Sequence, residues 1–343
     1  DGLVAAWNAD ANPEIAEITA ADASTYLTLT ADTEGKPFTV TATATGSATL
    51  TRAAVTANSS PNDANDGDNY DTGSVPVNSD VVVFENSDID VLWNRDSLSG
   101  VTLTSLRRKA SYTGTIGLPD ENEAGYPEYR ETHLKIGATN IYDEQGDTPQ
   151  GRQTRLNVGS VQTAYRGTGA GGGTLGQEAT ELLGTHASNT VVALGASVAV
   201  APDYGDSSTV ATLQADNSTV TVGESVTLTT VESRGSLVEL HSGCTTLNQR
   251  DNNAQTIVHE TAAITNTNVY GGTLNWRSSG SPGTVDVFAG ASVAFENAPD
   301  GVSVTKFVLH NGASLIDPGS RISRSYEIEC PDCDISELAD LQL

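Results

Sequence analysis

The sequence predicts an all-β protein, a right-handed parallel β-helix of about 19–20 residues per rung preceded by a small α+β module. Three observations carry that expectation. Val, Thr, Ala, Ser, Asn, Asp and Gly dominate while Lys, Arg and aromatic residues are scarce, a composition that suits short β-branched strands joined by polar turns. In the second half of the chain a small residue, a Ser or Thr and an aliphatic residue recur at a nearly constant interval. A second apolar-alternating segment precedes most of these triplets in phase, which gives two or three short strands per period.

The elements follow in order. Leu3-Val4-Ala5-Ala6-Trp7-Asn8 reads as the end of an amphipathic helix that is longer upstream. Ile15–Thr19, Tyr26–Thr30 and Phe38–Ala42 alternate apolar with polar residues, as half-buried strands do, and Glu34-Gly35-Lys36-Pro37 supplies a turn between the last two. These form a helix-plus-hairpin attachment module over residues 1–56. Residues 57–79 are polar and Asx-rich, a linker or cap entry. Val81–Phe84 and Val91–Trp93 are buried-strand candidates, with irregular insertions at Pro119–Glu131 and Arg166–Gly176. The β-helix is assigned to residues 80–322 and a C-terminal cap or tail to 323–343.

The repeat itself is marked by Val198, Val220, Leu237, Ile257, Leu274, Val293 and Leu315, spaced 22, 17, 20, 17, 19 and 22 residues with a mean of 19.5. Ile136–Thr139 and Val158–Val161 fit the same pattern earlier in the chain. Such a solenoid stacks each rung on the next, so inward aliphatics make one continuous core and polar residues cover the outside. A leucine-rich repeat would need an LxxLxL consensus that is absent, and a β-sandwich would not hold one phase over six intervals.

Charge and motif content exclude several functions. The chain carries 44 acidic and 17 basic residues, a formal net charge of −27, so a nucleic-acid backbone or an anionic membrane surface would be repelled. No apolar run is long enough to insert in a bilayer. The 343 residues include no Met, which reads as a removed leader or an upstream segment. Cys330 and Cys333 have CxxC spacing but no second ligand pair for zinc, leaving a local disulfide or plain thiols. Gly167–Gly176 lacks the Lys and Ser/Thr of a phosphate loop, and there is no Gly-x-Ser-x-Gly elbow.

Two stretches carry a resemblance. Ala5–Asn8 and Glu14–Thr19, followed by Leu27–Val40 with its Ala31-Asp32-Thr33-Glu34-Gly35-Lys36-Pro37-Phe38 turn, resemble a small module of tailed-bacteriophage virion proteins. Asp68-Asn69-Tyr70-Asp71-Thr72-Gly73-Ser74-Val75-Pro76, leading to Asp80–Phe84, is similar to the entry of many secreted or phage-borne β-helices, with Tyr70 where Trp is common. The chain thus resembles uncharacterised phage or prophage structural proteins with a β-helical body. That resemblance implies a virion or extracellular location and a tail fibre, tailspike-like adhesin or capsid decoration. Its implied partners are further copies of itself, with a trimer expected, other virion proteins through the N-terminal module, and a host-surface glycan. It supplies no catalytic motif, and no enzyme is expected.

Candidate site residues are therefore read from spacing alone. A glycan-cleaving β-helix would need two carboxylates about 5–10 Å apart in a groove. Among Glu232, Glu239, Asp251, Glu260, Asp286 and Glu296, the pair Glu239 and Glu260 lies just beyond the markers of adjacent rungs; Trp276 and Arg277 are the best local sugar-binding pair. Of five His (133, 186, 241, 259 and 310), His241 and His259 are one rung apart. They could stack on one face, either as a packing ladder or as a transition-metal site with Glu239 or Glu260. Asp63, Asn65, Asp66, Asp68 and Asp71 place oxygen donors around Gly67 as a calcium loop would, without the distal Glu or flanking helices of an EF-hand. An Asx-rich turn is the alternative. No other cofactor is implied.

Overall fold

The computed structural model describes residues 2–41, 43–44, 49, 51, 56, 59–122, 125–146, 154–169, 177–323, 327–331 and the backbone of 341–342. It is a parallel β-solenoid of about 11 turns with a small helix-and-strand module at its N-terminal end. From Thr102–Arg108 onward, successive strands alternate between a twelve-stranded and an eleven-stranded sheet, each pairing in parallel with the strand two further along the chain, while Val81–Phe84 pairs directly with Thr102–Arg108.

The inward ladder of the twelve-stranded sheet runs Val82, Leu106, Ile141, Tyr165, Val191, Leu213, Val231 and Leu247, in register from coil to coil. Each is buried, as are Thr267, Val285 and Phe307, which continue the ladder to a partly buried Ile328. Burying one such side chain contributes about 1.5–3 kcal/mol, and no coil has a core without its neighbours, so stacking rather than local propensity holds the fold.

In the eleven-stranded sheet the in-register column is Val198, Val220, Val238, Thr256, Leu274, Val293 and Leu315. The sequence markers Leu237 and Ile257 are therefore one residue out: they face outward beside Glu239 and Gln255, and a buried Thr256 takes the inward position. The corrected spacing is 22, 18, 18, 18, 19 and 22 residues, more even in the middle than the markers suggest. Two earlier markers belong elsewhere. Gly137–Glu144 is a strand of the other sheet, and Val158–Val161 forms a turn.

The Gly of the repeated triplet has a physical cause. The short connection between the two strands of a coil needs a left-handed residue, supplied by Gly195, Asn217, Gly235, Asp251, Gly272, Gly290 and Gly312 at φ +48° to +83°. The long strand Ser208–Asp216 also turns a corner: its inward-outward alternation slips between Ala211 and Thr212, where the pairing to Val226–Arg234 skips a residue.

The first coils differ inside. Arg108 and Asp143, each 1% exposed, face one another at 3.2 Å within the solenoid, and the Tyr165 hydroxyl donates to Asp143 at 2.8 Å. Gln145 exchanges hydrogen bonds with Ser197 at 2.8 Å through both ends of its amide.

The N-terminal module departs from the expected strand set. Gly2–Asn8 is helical, as expected, but Ile15 falls in a second short helix, Pro13–Ala16, capped by Asn12. The hairpin pairs Ile18–Asp22 with Leu27–Ala31, so its turn lies at Ala23–Tyr26 rather than at Gly35. Phe38–Val40 follow without strand pairing, and Ala42 lies outside the described residues. The Asx-rich stretch is more than a linker. Ala64 is 4% exposed and belongs to the solenoid core, and the Tyr70 hydroxyl donates to its carbonyl at 2.8 Å, so this segment covers the first coil. Of the second buried-strand candidate, Val91 and Trp93 make only isolated bridges, to Ile116 and Asp63. Both sheets continue past residue 322, through Glu327–Glu329 and Leu341–Gln342.

Candidate functional site

Two groups of side chains on the outer surface bring chemistry together, and a third set joins the module to the solenoid. Thr154–Asn157 and Thr180–Leu183 pair so that Arg155 and Glu181 are neighbours on the outer face of the eleven-stranded sheet. Outward residues of such a sheet normally meet water. Here both are buried, at 5% and 0% exposure, with Asp120 against Arg155 and with His133 and Asp206 against Glu181. Arg155 binds Asp120 with two nitrogens, one at 2.9 Å, and sets its Nε 3.5 Å from Glu181. His133 Nε2 meets the other Glu181 oxygen at 2.9 Å, while its Nδ1 contacts the Thr132 hydroxyl at 2.9 Å.

Asp206 completes this group, its carboxylate within 4.8 Å of the His133 and Glu181 ligand atoms. His133 and Asp206 open onto a cleft of about 410 Å³ that Asp120, Glu128, Tyr129, Arg130, Asp203 and Tyr204 also line. Burial, reinforced by the Glu181, Asp203 and Asp120 charges and opposed by His133, pushes the Asp206 carboxyl up to about 6. A carboxyl that is half-protonated at about pH 6 can donate or accept a proton there. The sequence hid this group because its members span residues 120–206 and combine two strands of the repeat, which carry Arg155 and Glu181, with loops that carry Asp120, His133 and Asp206. The available signal was Glu181 itself, a charge inside the apolar run Ala179–Leu183.

The second group is the one that the rung spacing anticipates. Leu240 and Val258 are in register, so the residues that follow them, His241 and His259, sit one above the other. Their rings stack at 4.7 Å with 4° between planes. His259 Nε2 lies 2.6 Å from Glu239 Oε1, His241 Nε2 lies 3.9 Å from Glu239 Oε2, and His241 Nδ1 lies 3.2 Å from Glu260 Oε1. Glu239 thus meets both imidazoles, and Glu260 meets that of His241.

The remaining candidates are dispersed. Glu232 receives Asn248 at 2.6 Å and Arg250 at 3.3 Å, and Asp286 meets His310 at 3.1 Å. Asp251 sits in a left-handed turn and Glu296 is exposed. Trp276 corrects the sugar-binding expectation: it is fully buried against Phe295 in the core, and only Arg277 faces water. The exposed stack is another, Arg250 over Tyr270 over Phe288 over His310, with ring centroids 4.4 Å apart.

In the Asx-rich loop, Asp63 accepts the Asn65 amide at 2.9 Å and the Asn94 side chain at 2.9 Å. Asp66 accepts the Asp68 and Ser60 amides at 3.0 and 3.1 Å. Asp63, Asn65 and Asp66 therefore share one Asx-turn network, while Asp71 stays exposed beyond it. Cys244 is a buried thiol and Cys330 a half-exposed one; Cys333 and Gly171–Gly176 lie outside the described residues.

The junction centres on Glu17. Lys36 Nζ approaches at 2.6 Å, Arg130 pairs with it, and the Tyr129 hydroxyl donates at 2.6 Å. Lys36 and Arg130 also lie 5.5 and 5.4 Å from the centre of the Trp93 ring. Burial alone would raise the Glu17 carboxyl, but the hydrogen bonds from Arg130, Lys36 and Tyr129 prevail and hold it down to about 2.

Comparison with protein-family models, with curated proteins and with solved structures finds no match, so the functional reading rests on the chain's own residues.

Proposed function

We propose that the chain is a non-enzymatic structural protein of a tailed-bacteriophage virion, a stiff rod projecting from tail or capsid as a fibre, spike or decoration. The single observation behind this reading is the Glu17 junction, which ties the helix-and-hairpin module to the first coils of the eleven-turn solenoid. A module held by one buried-edge carboxylate against a rod gives the rod a fixed base. The helix Gly2–Asn8 buries none of its residues, and Leu3 is 65% exposed, so this base keeps a surface for a particle protein. The β-solenoid fold is compatible with tailspikes, fibres and adhesins, and the resemblance of the module and of the helix entry favours the phage over a cellular surface layer or autotransporter-like adhesin. A homotrimer would cover the solenoid flanks, and the acidic surface keeps the assembly soluble outside a cell.

Density for the chain in a purified native particle tests this reading: rods attached through residues 2–36 support it, and absence of the chain from the particle removes it.

One observation favours a second reading, a glycan-cleaving spike. The cleft holds Asp206 near its proton-transfer range beside the Asp120 and Asp203 carboxylates. Incubation with host-surface polysaccharide separates the two: depolymerisation by the wild type that Asp206→Asn abolishes selects the enzyme, and an unchanged polymer selects the adhesin.

A further inference from the structure

The stacked histidines have no part in the junction or the cleft, yet their geometry is that of a ligand set. We infer that Glu239, His241 and His259 form a binding site for a transition-metal dication of the zinc class, with Glu260 orienting His241 from behind.

The donor atoms are already gathered. One carboxylate oxygen of Glu239 and one ring nitrogen from each histidine lie within 4.8 Å of one another, and all three residues are half-buried on the outer face. Two imidazoles and one carboxylate are donors that suit zinc and its neighbours, not calcium, which takes oxygen ligands alone. Solvent can reach the group, whose side chains are 17–26% exposed, so water fills the remaining coordination positions.

The tautomers fit as well. Glu260 accepts at His241 Nδ1, 3.2 Å away, and so places that ring's proton on Nδ1. The Nε2 lone pair is left pointing toward Glu239, as in the carboxylate–histidine–metal arrangement that fixes a ligand ring and raises its basicity. His259 Nε2 meets Glu239 at 2.6 Å; a metal takes the place of the proton shared there.

Charge argues the same way. The carboxylates of Glu239 and Glu260 both face the stacked rings, so negative charge is concentrated at the donor atoms. A dication satisfies all four groups together. The His133–Glu181–Asp206 group is the poorer candidate because the Arg155 guanidinium already sits 3.5 Å from Glu181 and would oppose a second cation. Around the stacked histidines the nearest column neighbour of positive charge is Arg277, on the coil beyond His259 and exposed to solvent. Glu239 and His241 belong to one coil and His259 and Glu260 to the next, so a bound ion staples adjacent coils.

The test is a zinc titration of the full metal-stripped chain by calorimetry at neutral pH, repeated with cobalt(II) for its visible spectrum. The expected result is one ion per chain, a cobalt spectrum showing nitrogen and oxygen ligands, and a raised melting midpoint with metal. Glu239→Gln and His259→Gln should abolish binding, with far-UV circular dichroism showing each variant folded without metal. Glu260→Gln should weaken it roughly 10–100-fold. His133→Gln should leave it unchanged. Absence of stoichiometric binding, full binding by Glu239→Gln or His259→Gln, or its loss in His133→Gln overturns the assignment.

Discussion

Adding a single methyl group at two equivalent turns measures how closely the coils are stacked. Gly272 and Gly290 each precede a strand of the eleven-stranded sheet, Thr273–Trp276 and Ser292–Ala294, and each is left-handed, at φ +71° and +78°. Replacing either with Ala forces an L-residue into that conformation, which costs about 1–2 kcal/mol. The two differ in what the new Cβ would meet. At 290 nothing lies within 4 Å, whereas at 272 the Cβ would fall 2.0 Å from the Ala254 carbonyl oxygen and 2.9 Å from its carbon. That carbonyl cannot retreat freely, because it accepts the Thr273 amide at 3.0 Å in the coil-to-coil ladder. Overpacking of this kind adds about 1–3 kcal/mol. Gly290→Ala should therefore cost about 1–2 kcal/mol and Gly272→Ala about 2–5 kcal/mol. Guanidinium unfolding followed by far-UV circular dichroism reads the difference. Equal losses at the two positions, or a larger loss at 290, would refute the stacking geometry from which the estimate is built.

Three further outcomes follow from named contacts. Asp143→Asn removes the buried carboxylate that faces Arg108, and should lower stability by up to about 3–5 kcal/mol in the same unfolding assay; Asp143→Asn with Arg108→Met should recover part of that loss. Glu17 has a depressed carboxyl, so its stabilisation is complete above the ordinary value of 4.5 and fades as pH falls toward about 2. The full shift corresponds to about 3 kcal/mol, and screening by water at its exposed edge reduces this to about 1–2 kcal/mol. Hydrogen exchange of Ile18–Asp22 should accordingly quicken roughly 5–30-fold between pH 6 and pH 2.5, relative to the solenoid strands and after correction for intrinsic exchange, and Glu17→Gln should flatten that pH dependence. Burial pushes the Cys244 thiol up to about 12, so iodoacetamide at pH 8 should label Cys330 in the folded chain and spare Cys244 until it is unfolded; labelling of Cys244 at the Cys330 rate would contradict its burial.

The solenoid was legible because its period is short and its core is continuous. Val198, Val220, Leu274, Val293 and Leu315 all occupy the inward column that their spacing implies. Leu237 and Ile257 were misassigned because aliphatic residues also occupy outward positions beside the column, and the residue that completes the core at one coil, Thr256, is polar. No hydrophobic count separates adjacent positions when both are apolar. The hairpin turn was misplaced for a related reason: Glu34-Gly35-Lys36-Pro37 has strong turn chemistry, yet the pairing register of Ile18–Asp22 with Leu27–Ala31 is set across Ala23–Tyr26.

The stacked histidines were visible since one coil separates them in sequence as in space. Glu181, His133 and Asp206 were not, because loops that break the repeat bring them together, and burial of an outward-facing charge depends on what covers it. Trp276 shows the converse. A lone Trp beside an Arg suggests a sugar platform, but its indole N–H is satisfied within the core by the Ser278 carbonyl at 2.9 Å, and the ring never reaches the surface.

Electron microscopy of the native assembly containing this chain tests the central claim most directly. Eleven-turn rods should rise from a capsid or tail, each seated through the helix-and-hairpin module, with Glu17 at the junction of base and shaft. Rods packed into a continuous lattice with no particle beneath them, or rods whose module points away from the particle, would contradict it.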